Sequence, residues 1–342
     1  MTRTVLVTGV SRHIGARVAN ALAADPEIGR IIGVDTAPPS LHRDDGASLG
    51  RTEFVRADLN GPDVGRIIGS ADVDTVVHLD LVSGPVRSRA AMKEHNVLGT
   101  MQLLAACQRS ASVRRVVVRS TTAVYGASPH APAVFTEDLA PADGAQSGYE
   151  KDAFEVEGYV RGFARRRADV ATTVLRFAPV MGPGVDTPLT RYFSQDVLPT
   201  VLGFDPRLQF VHEDDAVEAL CRTARADHPG VFNVAGEGVL LLSQCARRAG
   251  RPAVPMPAPA FRLFGGLARS AGLVDFTPEQ LSLLIHGRVV DSGRLAAELG
   301  WRPAYSTAAA FDDFLRSRGL PSGLWPAAFD RLADLVTAHR PR

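Results

Sequence analysis

The 342-residue sequence predicts an α/β fold: a doubly wound parallel sheet joined to a smaller C-terminal α/β substrate lobe. Three observations predict it. Over the first 180 residues, short β-branched runs alternate with longer helical patterns, the signature of right-handed βαβ units. The strand runs are continuously apolar, as parallel strands covered on both faces must be. After residue 180 the texture changes, with Pro and Gly punctuating 179–206 and Pro recurring at 252–258.

The elements follow in order. Strands are expected at 4–8, 30–35, 52–57, 74–80, 115–120 and 171–177, with helices near 14–24, 61–69, 88–109 and 149–167. The second half should hold short strands near 208–212 and 231–234 and helices near 214–225, 243–249 and 307–317. Thr277-Pro278-Glu279-Gln280 reads as a helix start, with a Thr cap and Pro in the first turn. The expected division is a dinucleotide-binding domain over 1–178, a substrate lobe over 179–320 that exchanges segments with it, and a tail over 321–342.

Composition excludes several functions. With 38 basic against 37 acidic residues, the chain builds no field for nucleic acid or an anionic membrane. Hydrophobic residues at 45% exclude wholesale disorder. Cys107, Cys221 and Cys245 lie far apart, and the histidines lack ligand spacing, so neither a disulfide framework nor a metal site is expected. No run of 18 apolar residues exists, and residues 1–8 read as a strand rather than a leader, so a cytoplasmic protein is expected. Only Lys93 and Lys151 are lysine.

Thr8-Gly9-Val10-Ser11-Arg12-His13-Ile14-Gly15 joins the first strand to the first helix. Such a turn aims backbone N–H groups and the helix dipole at a pyrophosphate; Gly9 permits the tight turn and Gly15 close helix–strand packing. This is a Rossmann-type arrangement. Asp35 ends the second strand, where a carboxylate accepts both adenosine ribose hydroxyls and repels a 2′-phosphate, which favours NAD over NADP. Arg12 argues the other way, because a loop arginine can pair with a phosphate.

Further segments occur in a fixed order: Ala57-Asp58-Leu59, Val76-Val77-His78-Leu79, Asn96-Val97-Leu98-Gly99-Thr100 and Ser120-Thr121-Thr122-Ala123-Val124-Tyr125-Gly126. Leu175-Arg176 then leads to Gly182-Pro183, and Val211-His212-Glu213-Asp214-Asp215 and Leu299-Gly300-Trp301-Arg302-Pro303 follow. With the glycine turn, this series resembles the extended short-chain dehydrogenase/reductases, the NAD-dependent epimerase/dehydratase family, over about residues 3–317. The resemblance includes actinobacterial sugar-epimerase-like members. It implies NAD as cofactor, held by Gly9, Arg12, His13, Ile14 and Gly15 in the turn and by Asp35 at the ribose. It also implies cofactor contacts from Asp58, Leu59, Leu79, Asp80, Asn96, Ser120, Tyr149 and Ala178. Asp58 alternatively caps the helix over 60–68. A homodimer through the helices matching 88–109 and 149–167 is expected from the same resemblance.

The resemblance implies hydride transfer, with a Tyr moving the hydroxyl proton, a Ser or Thr orienting the oxygen, and a Lys four residues after the Tyr. Tyr149 and Thr121 fall at the first two positions, but Ala153 stands at the third. A free phenol has a pKa of about 10, so a nearby cation is needed to poise it. Lys151 is two residues from Tyr149 and turns away on a regular helix. Lys93, Arg119 and Arg176 are the remaining local sources of charge, besides the nicotinamide ring itself. An alignment on Tyr159 meets Phe163 and rescues nothing. Asp80 stands where the family has a small residue and is either a third catalytic candidate or a ribose or capping group.

The substrate end departs as well. Pro179 replaces the Asn of nucleotide-sugar enzymes, and Leu208 occupies the position of their diphosphate arginine, with Arg207 one residue away. Three readings follow: an NAD-dependent oxidoreductase on a small-molecule ketone or alcohol, a nucleotide-sugar epimerase/dehydratase, or a non-catalytic NAD-binding scaffold.

Overall fold

The computed structural model describes residues 3–38, 49–81, 89–139, 148–260 and 278–320. Seven strands form one sheet: β1 (Arg3–Thr8), β2 (Ile28–Asp35), β3 (Glu53–Arg56), β4 (Thr75–His78), β5 (Arg115–Thr121), β6 (Ala171–Phe177) and β11 (Gly230–Val234). Their order is β11-β6-β5-β4-β1-β2-β3, and every pairing is parallel. The winding direction reverses between β1 and β4, so a crevice opens at the carboxyl ends of those two strands.

The continuous apolar runs explain the centre of this sheet. Val5–Val7 of β1, Val76–Val77 of β4 and Val116–Val118 of β5 are all buried. β3 departs from that expectation because it is an edge strand: Glu53 and Arg56 are exposed and Phe54 and Val55 only half-buried. Helix α1 (His13–Ala23) buries Ile14, Val18 and Leu22 at four-residue spacing. α5 (Gly148–Arg166) likewise buries Ala153, Val156, Val160 and Phe163 against the other side of the sheet. α2 (Asp63–Ser70) and α4 (Gly99–Arg109) complete the first half.

The helix expected over 88–109 is three pieces. α3 (Arg89–Lys93) passes into one π-helical turn, Glu94–Leu98, and then into α4. Gly99 N–H reaches back five residues to the Glu94 carbonyl, while Thr100 Oγ1 donates to Asn96 O at 2.6 Å. The extra residue per turn leaves Asn96 fully buried.

Beyond β6 the chain builds β7 (Val180–Met181), α6 (Pro188–Phe193), β8 (Leu198–Val201), β9 (Arg207–Leu208) and β10 (Val211–His212). The single strand expected over 208–212 is therefore two: β9 pairs with β12 (Leu240–Leu241) and β10 with β7. A second core gathers here around Tyr192, Phe193, Phe210, Phe311 and Phe314, with Phe193 and Phe311 rings 4.9 Å apart. α7 (Glu213–Arg225) and β11 return to the first core and its sheet, so the halves interleave in sequence. Helices Pro278–His286, Gly293–Leu299 and Thr307–Ser317 complete the description. Thr277 and the tail over 321–342 lie outside the described residues.

Candidate functional site

The glycine turn is built as close packing requires. A Cβ on Gly15 would sit 2.0 Å from the Gly9 carbonyl oxygen. Gly9 has φ 77° and lies against the Asp80 backbone. Arg12 is the residue before α1, and its side chain does not cap the helix, which leaves the first-turn N–H groups facing the crevice. Asp35 accepts from Ser11 N–H at 3.0 Å, Ser11 Oγ at 2.5 Å and Thr36 N–H at 2.7 Å. The carboxylate is thus fixed at the lip of the turn, with four lone-pair sites to share. These residues suit an adenosine diphosphate group.

Glu213 ties this turn to the second lobe. It meets His13 Nε2 at 3.2 Å and Arg17 Nη1 at 2.9 Å, and accepts from Gly184 N–H at 3.0 Å. Gly184 has no room for a Cβ, which would overlap the His13 ring. Ile14, Leu79, Ser120 and Ala178 line the crevice with Gly9, Arg12 and His13. Leu59 is buried against Gly99, while Asp58 is exposed and accepts from Asn60 N–H at 2.9 Å. Asp58 closes a turn rather than capping the following helix, because that helix starts only at Asp63.

Asp80 is almost fully buried, and its carboxylate meets His95 Nε2 at 3.0 Å and Arg12 Nε at 3.4 Å. Burial opposes its ionisation, yet His95, Arg12 and His78 together hold it below the ordinary carboxylate range. Asp80 is not among the residues lining the cavity. Asn96 also lies behind the wall, donating to Asp152 at 3.3 Å. Arg89 grips the same Asp152 at 2.5 and 2.6 Å and donates to Gly148 O, fastening α3 to the start of α5. His78 bridges Thr8 and Thr100, both at 2.8 Å. Thr100 spends its own proton on Asn96 O, so Nε2 of His78 carries the ring proton and Nδ1 accepts from Thr8. Burial pushes His78 down to about 4, and the ring is neutral.

At the other end of the crevice, Tyr149, Thr121 and Arg119 line the same cavity, close enough for the Thr121 hydroxyl and the Arg119 charge both to act on the phenol. The geometry has a local cause. Thr121 and Arg119 are two apart on β5 and face the same way. Burial raises the Tyr149 phenol above its usual value, while Arg119 and the Thr121 hydroxyl pull it back. Thr121 Oγ1 also accepts from Ala123 N–H at 3.2 Å, which fixes its rotamer.

The other possible cations are elsewhere. Ala153 is fully buried in the core. Lys93 pairs with Glu155, and Lys151 is exposed. Arg176 is bound to Glu157 at 2.7 Å and to Tyr125 Oη at 2.7 Å, and Ser120 Oγ joins the same Glu157. Tyr159 is 40% exposed.

A cavity of about 540 Å³ connects the two ends and continues between the lobes to Val185, Pro188, Leu189 and Leu283. Four arginines line it. Arg89 and Arg288 are paired with buried Asp152 and Glu150, and Arg12 leans on Asp80. Arg119 meets no carboxylate among the described residues. Arg207, the nearest candidate for a diphosphate contact, donates to Ala133 O outside this cavity. Sequence reasoning named Arg119 only as one of several sources and Glu213 only within the Val211–Asp215 segment, and missed His95 and the Glu150–Arg288 pair. Their partners lie 15 to 200 positions away, so no local pattern announces them.

The sequence pattern of the NAD dependent epimerase/dehydratase family matches residues 5–235. The chain belongs to that family, the extended short-chain dehydrogenase/reductases. An uncharacterised protein of Mycobacterium tuberculosis is 47% identical over 322 residues, covering 93% of this chain and 85% of its own. A dTDP-4-dehydro-6-deoxy-D-allose reductase from Streptomyces is 27% identical over 317 residues, covering 82% of this chain and 93% of its own. UDP-glucose 4-epimerase from Thermotoga maritima, solved with UDP-glucose, superposes with a TM-score of 0.71 at 20% identity. That match covers 92% of this chain and 98% of the epimerase. Membership makes NAD the cofactor and an enzyme the class of protein, and the turn around Gly9 and Gly15 fits that cofactor. Among the described residues no group of His, Cys, Asp or Glu is arranged to hold a metal. No described helix is long and apolar enough to cross a membrane.

Proposed function

We propose that this chain is an NAD-dependent oxidoreductase acting on a small-molecule ketone or alcohol, in which Arg119 replaces the family's lysine as the source of positive field. The arrangement of Arg119, Tyr149 and Thr121 carries this reading. NAD, when bound, supplies the acceptor or donor of a hydride. Thr121 orients the substrate oxygen, and Tyr149 Oη gives or takes its proton. Arg119 stabilises the phenolate that forms when the proton has left, through a fixed charge that no carboxylate holds in an ion pair among the described residues. A guanidinium does not deprotonate in this range, so Arg119 sets the field without relaying the proton. Asp80 is less suited to that step, because His95 and Arg12 hold it ionised behind the cavity wall.

The lobe-facing wall supports a compact, largely apolar substrate: Val185, Pro188, Leu189 and Leu283 lie on it beside Asp186 and Thr187, and its one arginine, Arg288, is already neutralised by Glu150. The reductase relative favours a second reading, a nucleotide-linked sugar, because the alignment spans 93% of that protein. A homodimer in the cytoplasm is part of the proposal. Leu98 and Tyr159, exposed at 42% and 40% on the helices expected to pair, support the dimer.

The test is reduction or oxidation of the nicotinamide with a panel of alcohols and ketones. Tyr149→Phe is expected to lower turnover by about 100- to 10,000-fold while NAD affinity holds. Unchanged turnover in Tyr149→Phe and Thr121→Ala would overturn the assignment. Tight NAD binding with no turnover on any compound would favour the scaffold reading. Thermal stabilisation by dTDP- or UDP-sugars, with none by the small alcohols, would favour the nucleotide-sugar reading.

A further inference from the structure

We infer that His95 is a positioning residue of the cofactor grip: by pairing with Asp80 it releases Arg12 toward the diphosphate, so that NAD affinity depends on the protonation of His95. The inference rests on NAD being the cofactor and goes beyond it to how that cofactor is held.

Three charged groups from three elements meet at one point. Arg12 comes from the glycine turn, Asp80 from the end of β4 and His95 from the π-helical turn. Arg12 lines the cavity with its side chain 47% exposed, whereas Asp80 is buried at 5%. Asp80 also lies directly against Gly9, whose Cβ position is 3.2 Å from the Asp80 backbone. A diphosphate in the turn therefore approaches a buried carboxylate, which is unfavourable unless that carboxylate is neutralised.

Two groups are near enough to neutralise it. Arg12 Nε is at 3.4 Å and His95 Nε2 at 3.0 Å, and Nε2 makes no aligned hydrogen bond among the described residues, Asp80 being its ion-pair neighbour. With His95 neutral, Arg12 must balance Asp80, and the cluster carries no net charge. With His95 protonated, the Asp80–His95 pair is closed, and the guanidinium stands over it as a net positive charge beside the pyrophosphate site. An anion in that site prefers the second state. The π-helical turn supplies the reach, since it sets His95 toward β4 while burying Asn96 beside it.

The remaining charges around the cluster do not alter the direction. Asp80 raises the affinity of His95 for its proton, against burial, and Arg12 opposes it while Asp35 on β2 adds to it. From β5 the Arg119 charge reaches Asp80 from beyond ion-pair distance, and His78, on Asp80's own strand, is neutral. His13 is turned to Glu213. His95 therefore titrates above the usual imidazole range of about 6.5. NAD affinity is high below that point and falls as pH rises through it.

Calorimetric titration of NAD into the intact protein, at about pH 6 and about pH 9, tests this. The wild-type dissociation constant is expected to weaken by about tenfold between them, the size of one unit charge placed near the diphosphate. His95→Gln should bind as weakly at low pH as the wild type does at high pH. Asp80→Asn should bind tightly at both, and His13→Gln should keep the wild-type slope. A melting curve at each pH separates these effects from unfolding. A pH-independent constant in the wild type, or the same slope in His95→Gln, overturns the inference and leaves the NAD assignment standing. No binding at any pH overturns both.

Discussion

The two ends of the crevice are built by different means. At the adenosine end the work is done by backbone: two glycines, an uncapped helix start and one carboxylate, most of them within seven residues. At the reacting end it is done by side chains from separate elements: Arg119 and Thr121 on β5 and Tyr149 on α5. A motif made of backbone tolerates little change, because each position is fixed by sterics. A field made of side chains can be supplied from another direction, and in the proposed mechanism a cation on β5 stands in for one on α5. The lesson is that a missing motif residue is not a missing function until the neighbouring strands have been searched.

Three changes would break or sharpen this contrast. The largest effect is expected from Gly15→Ala, because its Cβ would fall 2.0 Å from a carbonyl oxygen that cannot move without opening the turn. NAD affinity should drop by at least about 100-fold in a protein that still folds, since about 3 kcal/mol of diphosphate contact is lost. Retention of affinity within about threefold would break the backbone half of the comparison.

Next comes Arg119→Met, expected to lower turnover by about 100-fold with little change in NAD affinity. Adding Ala153→Lys should recover part of that loss, if charge rather than its origin is what matters. Recovery will be incomplete, because Ala153 is fully buried and a longer side chain there costs about 1–3 kcal/mol of stability. No recovery in a protein of near-normal melting temperature would mean that Arg119 serves by shape. The smallest effect belongs to Asp35→Asn. Discrimination between NAD and NADP should narrow by about tenfold, read as a ratio of dissociation constants.

What the sequence disclosed follows the same division. The parallel sheet was legible because each buried strand writes a continuous apolar run, and the order of elements then fixes the winding. The glycine turn was legible because its partners are neighbours in sequence. β9 and β10 were merged because two-residue strands carry no period to read. The π-helical turn was invisible because one extra residue in a helix changes hydrogen bonding and not composition. Asp58 illustrates the limit of capping rules: its carboxylate bonds two residues ahead and stops short of the helix. Arg119 and Tyr149 are 30 positions apart, so only the fold brings them to one cavity.

Glu213 joins three parts of the molecule that the chain visits at widely separated times: the head of α1, the loop after β7 and its own helix α7. A single carboxylate at such a junction acts as a rivet. The turn beneath the dinucleotide and the loop that leads to Leu189 are thereby held together on that side of the crevice.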